Sequence, residues 1–245
     1  MKSETGIYHV ILRGNNKQRI FEDNEDYETF MQILSYQRKQ CGFALYCWCL
    51  MSNHIHILLR EKETPLGSIF RKIGSSFVFW YNKKYKRTGH LFQDRYLSEV
   101  VEDEYYFKTV IRYIHLNPVE AGKSPAPGNY PYSSYRWIFE SGKYSDSDLI
   151  FKLFRKKEFE EYHKEKNNDI CLDYDHPARR IVTDEIAEKI IRKAFGYERI
   201  ALVNSLPEDE RNRAVQKLLR IGSSIRQINR LTGVNVAVIE KLKQM

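Results

Sequence analysis

The sequence predicts an α+β fold with an appended helical domain, and three observations carry that prediction. Patterned segments follow the order β, α, β, β, α, β, α, in which a hairpin interrupts any regular strand–helix alternation; this favours an α+β layer over a doubly wound parallel sheet. Composition shifts to proline, glycine and serine over residues 122–135 (GKSPAPGNYPYSSY), where the chain leaves its first core. Near the end, SIRQINRLTGVNVAVIEKL places two short amphipathic helices on either side of a glycine turn. The expected organisation is a catalytic-type domain over 1–140, a mixed-charge and mostly helical connection over 141–200, and a helix-turn-helix domain over 201–245.

Each element has its own signal. Residues 8–13 (YHVILR) read as a short strand. Residues 26–40 (DYETFMQILSYQRKQ) place Phe30, Ile33, Leu34 and Gln37 at helical spacing behind an acidic start, with Gly42 as the stop. Phe43–Met51 (FALYCWCLM) is rich in strand-forming residues, and Ser52-Asn53 turns it into HIHILLR, so these runs form a hairpin. Thr64-Pro65 starts a helix whose apolar residues recur every three or four positions through Tyr81. Residues 89–101 (GHLFQDRYLSEVV) read as a loop feeding a strand. Residues 102–116 (EDEYYFKTVIRYIHL) read as a helix stopped by Asn117-Pro118. The segment FRKKEFEEYHKEKNND is expected to be helical and solvated, without a function. In the last stretch, Ile225–Leu231 and Asn235–Leu242 flank the turn Thr232-Gly233-Val234, with Ile228, Leu231, Val234 and Ile239 as inner positions.

Bulk composition narrows the function classes. The chain has 245 residues and a formal charge of +8, with a pI near 9.1 and a mean hydropathy of -0.58. Such a balance favours a polyanionic partner, because lysines and arginines displace counterions from phosphates whatever the base sequence. Phe43–Met51 is too short to span a bilayer and the opening MKSETGIYHV has no apolar signal core, so a cytoplasmic protein without a membrane partner is expected. Cys41, Cys47, Cys49 and Cys171 do not form paired CxxC units; buried free thiols are the plainer reading.

Chemistry concentrates in the hairpin. On a strand, alternate residues share a face, so His54 and His56 project from one side while Ile55 and Ile57 enter the other. The helix over 102–116 brings Tyr113 and Asn117, four residues apart on one face, so a tyrosine and a carboxamide can meet two imidazoles. Each residue also has a bland reading: Tyr113 as a core tyrosine among 17, Asn117 as a helix end before Pro118. His115, two residues from Tyr113, faces away and reads as structural or DNA-facing, and nothing in the spacing of His9 or His90 selects them. The basic run Arg71, Lys72, Lys83, Lys84, Lys86 and Arg87 is interleaved with Phe77, Phe79, Trp80 and Tyr85. That pattern suits a solvated face and a single-stranded DNA groove equally.

At these residues the sequence resembles the single-tyrosine HUH transposases, and within them the REP-associated tyrosine transposases. The resemblance spans residues 7–137 through GIYHVILRG, CLMSNHIHILL, YKRTGHLFQDRYLSEVV and RYIHLNPVEAG, in that order. It implies a ferredoxin-like fold with an antiparallel sheet. It also implies that His54 and His56 are the metal-binding pair, Tyr113 the nucleophile and Asn117 a third metal ligand; asparagine rather than glutamine there sides with the REP-associated branch. The implied reaction cleaves and rejoins single-stranded DNA, with a hairpin as substrate, through a 5′-phosphotyrosine and a free 3′-hydroxyl. Mg²⁺ or Mn²⁺ is the implied ion, whereas histidine ligands taken alone suit zinc as well. Gln93, Asp94 and Arg95 recur in the family segment, and Arg95 is the foremost DNA contact among them.

The C-terminal helices lie outside the resemblance. Arg226, Gln227, Asn229 and Arg230 are side chains that a helix-turn-helix offers to a duplex, followed by Lys241 and Lys243; a small bundle packed on itself is the alternative. Val236-Ala237-Val238 are poor base readers. A relaxase or replication nickase of the same chemistry, a DNA-binding regulator that lost the reaction, and a zinc-bearing structural module are the competing readings. Monomer and homodimer are equally compatible with the sequence.

Overall fold

The computed structural model describes residues 3–139, 145–165, 171–173, 184–196, 200–221, 223 and 225–244. The chain divides into two compact units, residues 1–174 and 175–245. The expected connection over 141–200 is thereby shared between them. Ile150, Phe154 and Phe159 bury in the first unit, whereas Ala187, Ile190 and Ile191 bury in the second.

The first unit is built on a four-stranded antiparallel sheet of β1 (Ile7–Arg13), β2 (Ala44–Leu50), β3 (His54–Arg60) and β4 (Leu97–Val100), in the order β2-β3-β1-β4. Helices α1 (Asn24–Cys41) and α2 (Leu66–Lys84) complete the β-α-β-β-α-β order of a ferredoxin-like fold. β1 lies between β3 and β4 and is buried along its whole length.

Strand alternation sorts the two faces. Val10, Leu12, Ile55, Ile57 and Leu59 join Phe30, Leu34, Ile73 and Phe77 of α1 and α2 in one core. Ile7, Cys47, Cys49 and Leu58 join a second core with α3 (Glu104–Glu120), α4 (Asp148–Leu153) and α5 (Lys156–Tyr162). The histidines of β3 therefore project toward α3. The segment around α5 is not solvated as expected: Phe159 and His163 are buried against α3, because the apolar phase Phe154, Phe159 and Tyr162 supplies a second-face contact.

α1 opens with a reciprocal capping box between Asp23 and Asp26 and closes on Gly42 at φ 70°, a left-handed conformation that glycine adopts without strain. α3 opens on Asp103, which accepts from the Tyr106 backbone N–H at 2.8 Å. Its end corrects the sequence reading: the helix continues through Asn117 and Pro118 to Glu120. Pro118 removes a single intrahelical bond close to the terminus, while its neighbours Leu116 and Asn117 are buried. Tertiary packing outweighs the local preference.

The second unit contains α6 (Asp184–Phe195), α7 (Glu208–Arg220), α8 (Ile225–Thr232) and α9 (Val236–Gln244) around a core of Val215, Leu218, Ile228, Val234 and Ile239. α8 and α9 are joined by Gly233-Val234-Asn235, with Gly233 at φ 74°. Among the described residues, no helix is long and apolar enough to cross a membrane.

Candidate active site

The site forms where the start of β3 meets the last two turns of α3. His54 is half-buried, and His56, Tyr113 and Asn117 are buried. Asn117 bridges the histidines: His54 Nε2 lies 3.2 Å from Asn117 Oδ1, and Asn117 Nδ2 lies 3.4 Å from His56 Nε2. The His54 and His56 rings stand 5.0 Å apart at 86°, and the Tyr113 ring packs edge-on against His56 at 5.6 Å. The two histidines, tyrosine and asparagine singled out in the sequence thus converge on one spot. Continuation of α3 past Pro118 is what keeps Asn117 on the face of Tyr113.

Three residues that the sequence did not select, the pair His9 and Glu99 and then Asp173, complete the cluster. His9 pairs with Glu99 across β1 and β4, and its Nδ1 lies 2.8 Å from Glu99 Oε1. On its other side His9 Nε2 lies 3.0 Å from His56 Nδ1. Finding this chain required the β1–β4 pairing, which no local pattern announces, although alternation in YHVILR does place His9 on the Ile7 and Ile11 face. Asp173 is the other addition: Tyr113 donates its hydroxyl proton to Asp173 Oδ2 at 2.9 Å. The neighbouring Leu172 backbone N–H donates to Glu99 Oε1 at 3.1 Å.

Electrostatics at the site follow from burial. His56 is held neutral, its pKa well below the ordinary imidazole value, first by desolvation and then by the neighbouring His54 and His9. Tyr113 is pushed the other way: burial, reinforced by the Asp173 carboxylate, raises its pKa and keeps the phenol protonated. Desolvation pushes Glu99 up, but its interactions with His9, the Tyr106 side chain and the Leu172 backbone N–H together hold it below the ordinary carboxylate range.

The donor set fits a divalent ion. His54 Nδ1 lies 2.8 Å from Asn53 Oδ1, so its Nδ1–H is the donor there. The Nε2 lone pair then faces the lone pairs of Asn117 Oδ1, an arrangement that calls for a proton or a cation between the two acceptors. Among the described residues, no group of three or more histidine, cysteine, aspartate or glutamate side chains is arranged to hold a metal. A third ligand of another type would be the carboxamide oxygen of Asn117, which faces His54 Nε2.

The basic residues separate into groups. Arg71, Lys72, Lys83, Lys86, Arg87 and Arg95 are exposed. Lys84 is instead engaged within the fold, with Nζ 2.8 Å from both Asp23 Oδ1 and Asp26 Oδ1 and 2.9 Å from Glu25 Oε2. Its position one residue after Lys83 turns it by about 100° toward α1. Of the interleaved aromatics, Phe77 is buried and Tyr85 hydrogen-bonds Asp26, whereas Phe79 is 76% exposed. Arg87 donates to Gln18 Oε1 at 2.9 Å.

In the second unit Arg226 is exposed. Gln227 and Arg230 both hydrogen-bond Asp184, Arg230 through a bidentate pair at 2.7 Å. They link α8 to α6 through an acceptor that the sequence of α8 alone does not reveal.

Residues 2–117 match the family described as "Transposase IS200 like". A REP-associated tyrosine transposase of Escherichia coli K12 is 20% identical over 146 residues, covering 59% of this chain and 84% of that protein. A solved REP-associated tyrosine transposase bound to a REP hairpin shares the fold at a TM-score of 0.50 and 15% identity, over 71% of this chain and 89% of that one. A putative transposase from Deinococcus radiodurans R1 aligns at 20% identity and a TM-score of 0.34, over 44% of this chain and 87% of that one. Over residues 2–117, which carry the sheet, the histidine hairpin and the tyrosine of α3, the chain is thus similar to the IS200-like transposases, and the relatives it matches include REP-associated tyrosine transposases.

Proposed function

We propose that this chain cuts and rejoins single-stranded DNA beside a hairpin, with Tyr113 as nucleophile and a divalent ion, Mg²⁺ or Mn²⁺, held by His54, His56 and Asn117. The observation that carries this reading is the meeting of those four side chains between β3 and α3. When bound, such an ion supplies charge stabilisation at a scissile phosphate. The phenolic oxygen of Tyr113 attacks phosphorus, the bond from phosphorus to the 3′-oxygen breaks, and a 5′-phosphotyrosine and a 3′-hydroxyl result. The phenolic proton is already directed at Asp173 Oδ2, which can accept it as the new bond forms. Because the phosphodiester link is conserved, the reverse attack by a 3′-hydroxyl reseals a strand without an external energy source.

DNA would run along the outer stripe of α2. Lys72, Phe79 and Lys83 follow one another at helical spacing on its exposed face, with Arg71 and Lys86 beside them: cations for phosphates and one aromatic ring for an unpaired base. In the second unit, α8 and α9 are read as a helix-turn-helix whose DNA-facing charges are Arg226, Lys241 and Lys243, all exposed, with contacts to the phosphate backbone in preference to base edges.

The test uses a labelled hairpin with single-stranded flanks, incubated with the full chain and Mg²⁺ or Mn²⁺. Metal-dependent cleavage in a flank, lost in Tyr113→Phe and in His56→Ala, is the expected result. Tight, salt-dependent binding with no cleavage under either metal would overturn the catalytic reading in favour of a DNA-binding regulator.

A further inference from the structure

The hydrogen-bond chain behind the site has a direction. Glu99 is ionised and can only accept, so the proton on the near side of His9 is on Nδ1. At the other end Asn117 Nδ2, which can only donate, lies 3.4 Å from His56 Nε2, so His56 accepts there, carries its ring proton on Nδ1 and donates it to His9 Nε2 at 3.0 Å. The lone pair of His56 is therefore on Nε2. That atom faces the position shared with His54 and Asn117, where Asn117 Nδ2 lies 3.4 Å away as a donor. The opposite tautomer would set an Nε2–H of His56 against the Asn117 amide N–H and would offer a ligand site no lone pair.

We propose that Glu99 and His9 are positioning residues that fix His56 in its Nδ1–H tautomer and aim its Nε2 lone pair at the metal position. The inference rests on the metal reading given above and deepens it. His9 is fully buried between two strands that are hydrogen-bonded along their length, so the imidazole cannot rotate away from either partner. His54 reaches the same protonation pattern by a shorter route, with Asn53 Oδ1 as its Nδ1 acceptor. Each ligand histidine thus has its own backing acceptor, an arrangement that raises ligand basicity and restrains ring orientation.

The test combines a spectroscopic readout with metal affinity, both on the full chain. Long-range ¹H–¹⁵N correlation spectra of protein labelled with ¹⁵N-histidine should show His56 as the Nδ1–H tautomer in the wild type without metal. His9→Leu removes the acceptor and should weaken Mn²⁺ binding, followed by electron paramagnetic resonance, by about 10- to 100-fold. His9→Gln keeps a carbonyl acceptor facing His56 and should bind within a few-fold of wild type. An Nε2–H tautomer for His56 in the wild type, or equal Mn²⁺ affinity in His9→Leu and wild type, would overturn the proposal. The wild-type spectrum requires no variant to fold. Failure of the wild type to bind Mn²⁺ would instead remove the metal reading, while the tautomer is still read from the spectrum.

Discussion

Helix α3 carries two imidazole clusters, and the difference between them separates a site from a structural element. Tyr113 and Asn117 face His54, His56 and His9; His115, about 200° round the helix from Tyr113, faces His163 and Ser134. In the His115 cluster every hydrogen bond closes within the protein. His163 Nδ1 donates to the Phe159 carbonyl at 2.7 Å, His115 Nδ1 donates to His163 Nε2 at 3.1 Å, and Ser134 Oγ donates to His115 Nε2 at 2.9 Å while accepting the Trp48 backbone N–H at 2.9 Å. In the other cluster the protons run outward, to Glu99 and Asn53, and the lone pairs of two histidines and a carboxamide converge. Residue type alone does not distinguish the two. The direction in which the protons point does.

The comparison can be broken most sharply at the tyrosine. Tyr113→Phe removes the nucleophile and should reduce strand cleavage to the uncatalysed background, while its thermal stability stays within about 1 kcal/mol of wild type, the usual worth of one hydrogen bond. Retained cleavage in a gel assay would show that another residue attacks. His115→Ala should do the converse. Losing the centre of a closed buried network leaves His163 and Ser134 without their partner and should cost about 2–4 kcal/mol in urea denaturation, with Mn²⁺ affinity unchanged in the folded protein. A loss of metal binding without a loss of stability would merge the two clusters into one.

Acid should act on the buried histidines of both clusters, His56 in one and His115 and His163 in the other. Burial pushes His163 down to about 4 from an ordinary 6.5 and holds His115 well below that ordinary value. The unfolded chain takes up these protons below pH 6.5 and the folded protein does not. The stability they contribute is therefore whole above 6.5 and is lost as pH falls toward 4, by about 3 kcal/mol for His163 alone. Denaturation midpoints compared at pH 7.5 and 4.5 check the sign, and a flat profile would contradict a neutral, closed network. The smallest effects belong to α2. Lys83→Ala should weaken single-stranded DNA binding by a few-fold and lower the salt slope by about 0.7, one phosphate contact. Lys84→Ala should leave that slope unchanged and lower the melting temperature, because Lys84 holds the α1 terminus. Equal slopes for the two variants would remove the α2 stripe from the DNA path.

Much of this was legible in the sequence where period and chemistry agree. Alternation in HIHILLR puts His54 and His56 on the face opposite Ile55 and Ile57, and the four-residue step from Tyr113 to Asn117 survives in α3. Features set by distant pairing were not legible. His9 becomes part of the site only because β4 brings Glu99 beside it, and His163 becomes buried only because α5 packs on α3. Local signals also misled where packing outweighed them, as at Pro118, where the helix continues for two more residues. For Gln227 and Arg230 on α8, nothing local announces the acceptor Asp184 that α6 supplies. Lys84 was separable from Lys83 by helical phase alone, since Lys83 continues the row of Phe79 and Lys84 does not.

The central claim is a covalent bond between DNA and Tyr113. Full-length protein incubated with a hairpin bearing single-stranded flanks and Mn²⁺, then denatured, digested and examined by mass spectrometry, should yield the peptide containing Tyr113 carrying a 5′-phosphodeoxynucleotide. The same hairpin bound and metal present, but no adduct, or an adduct on a different residue, would contradict the account.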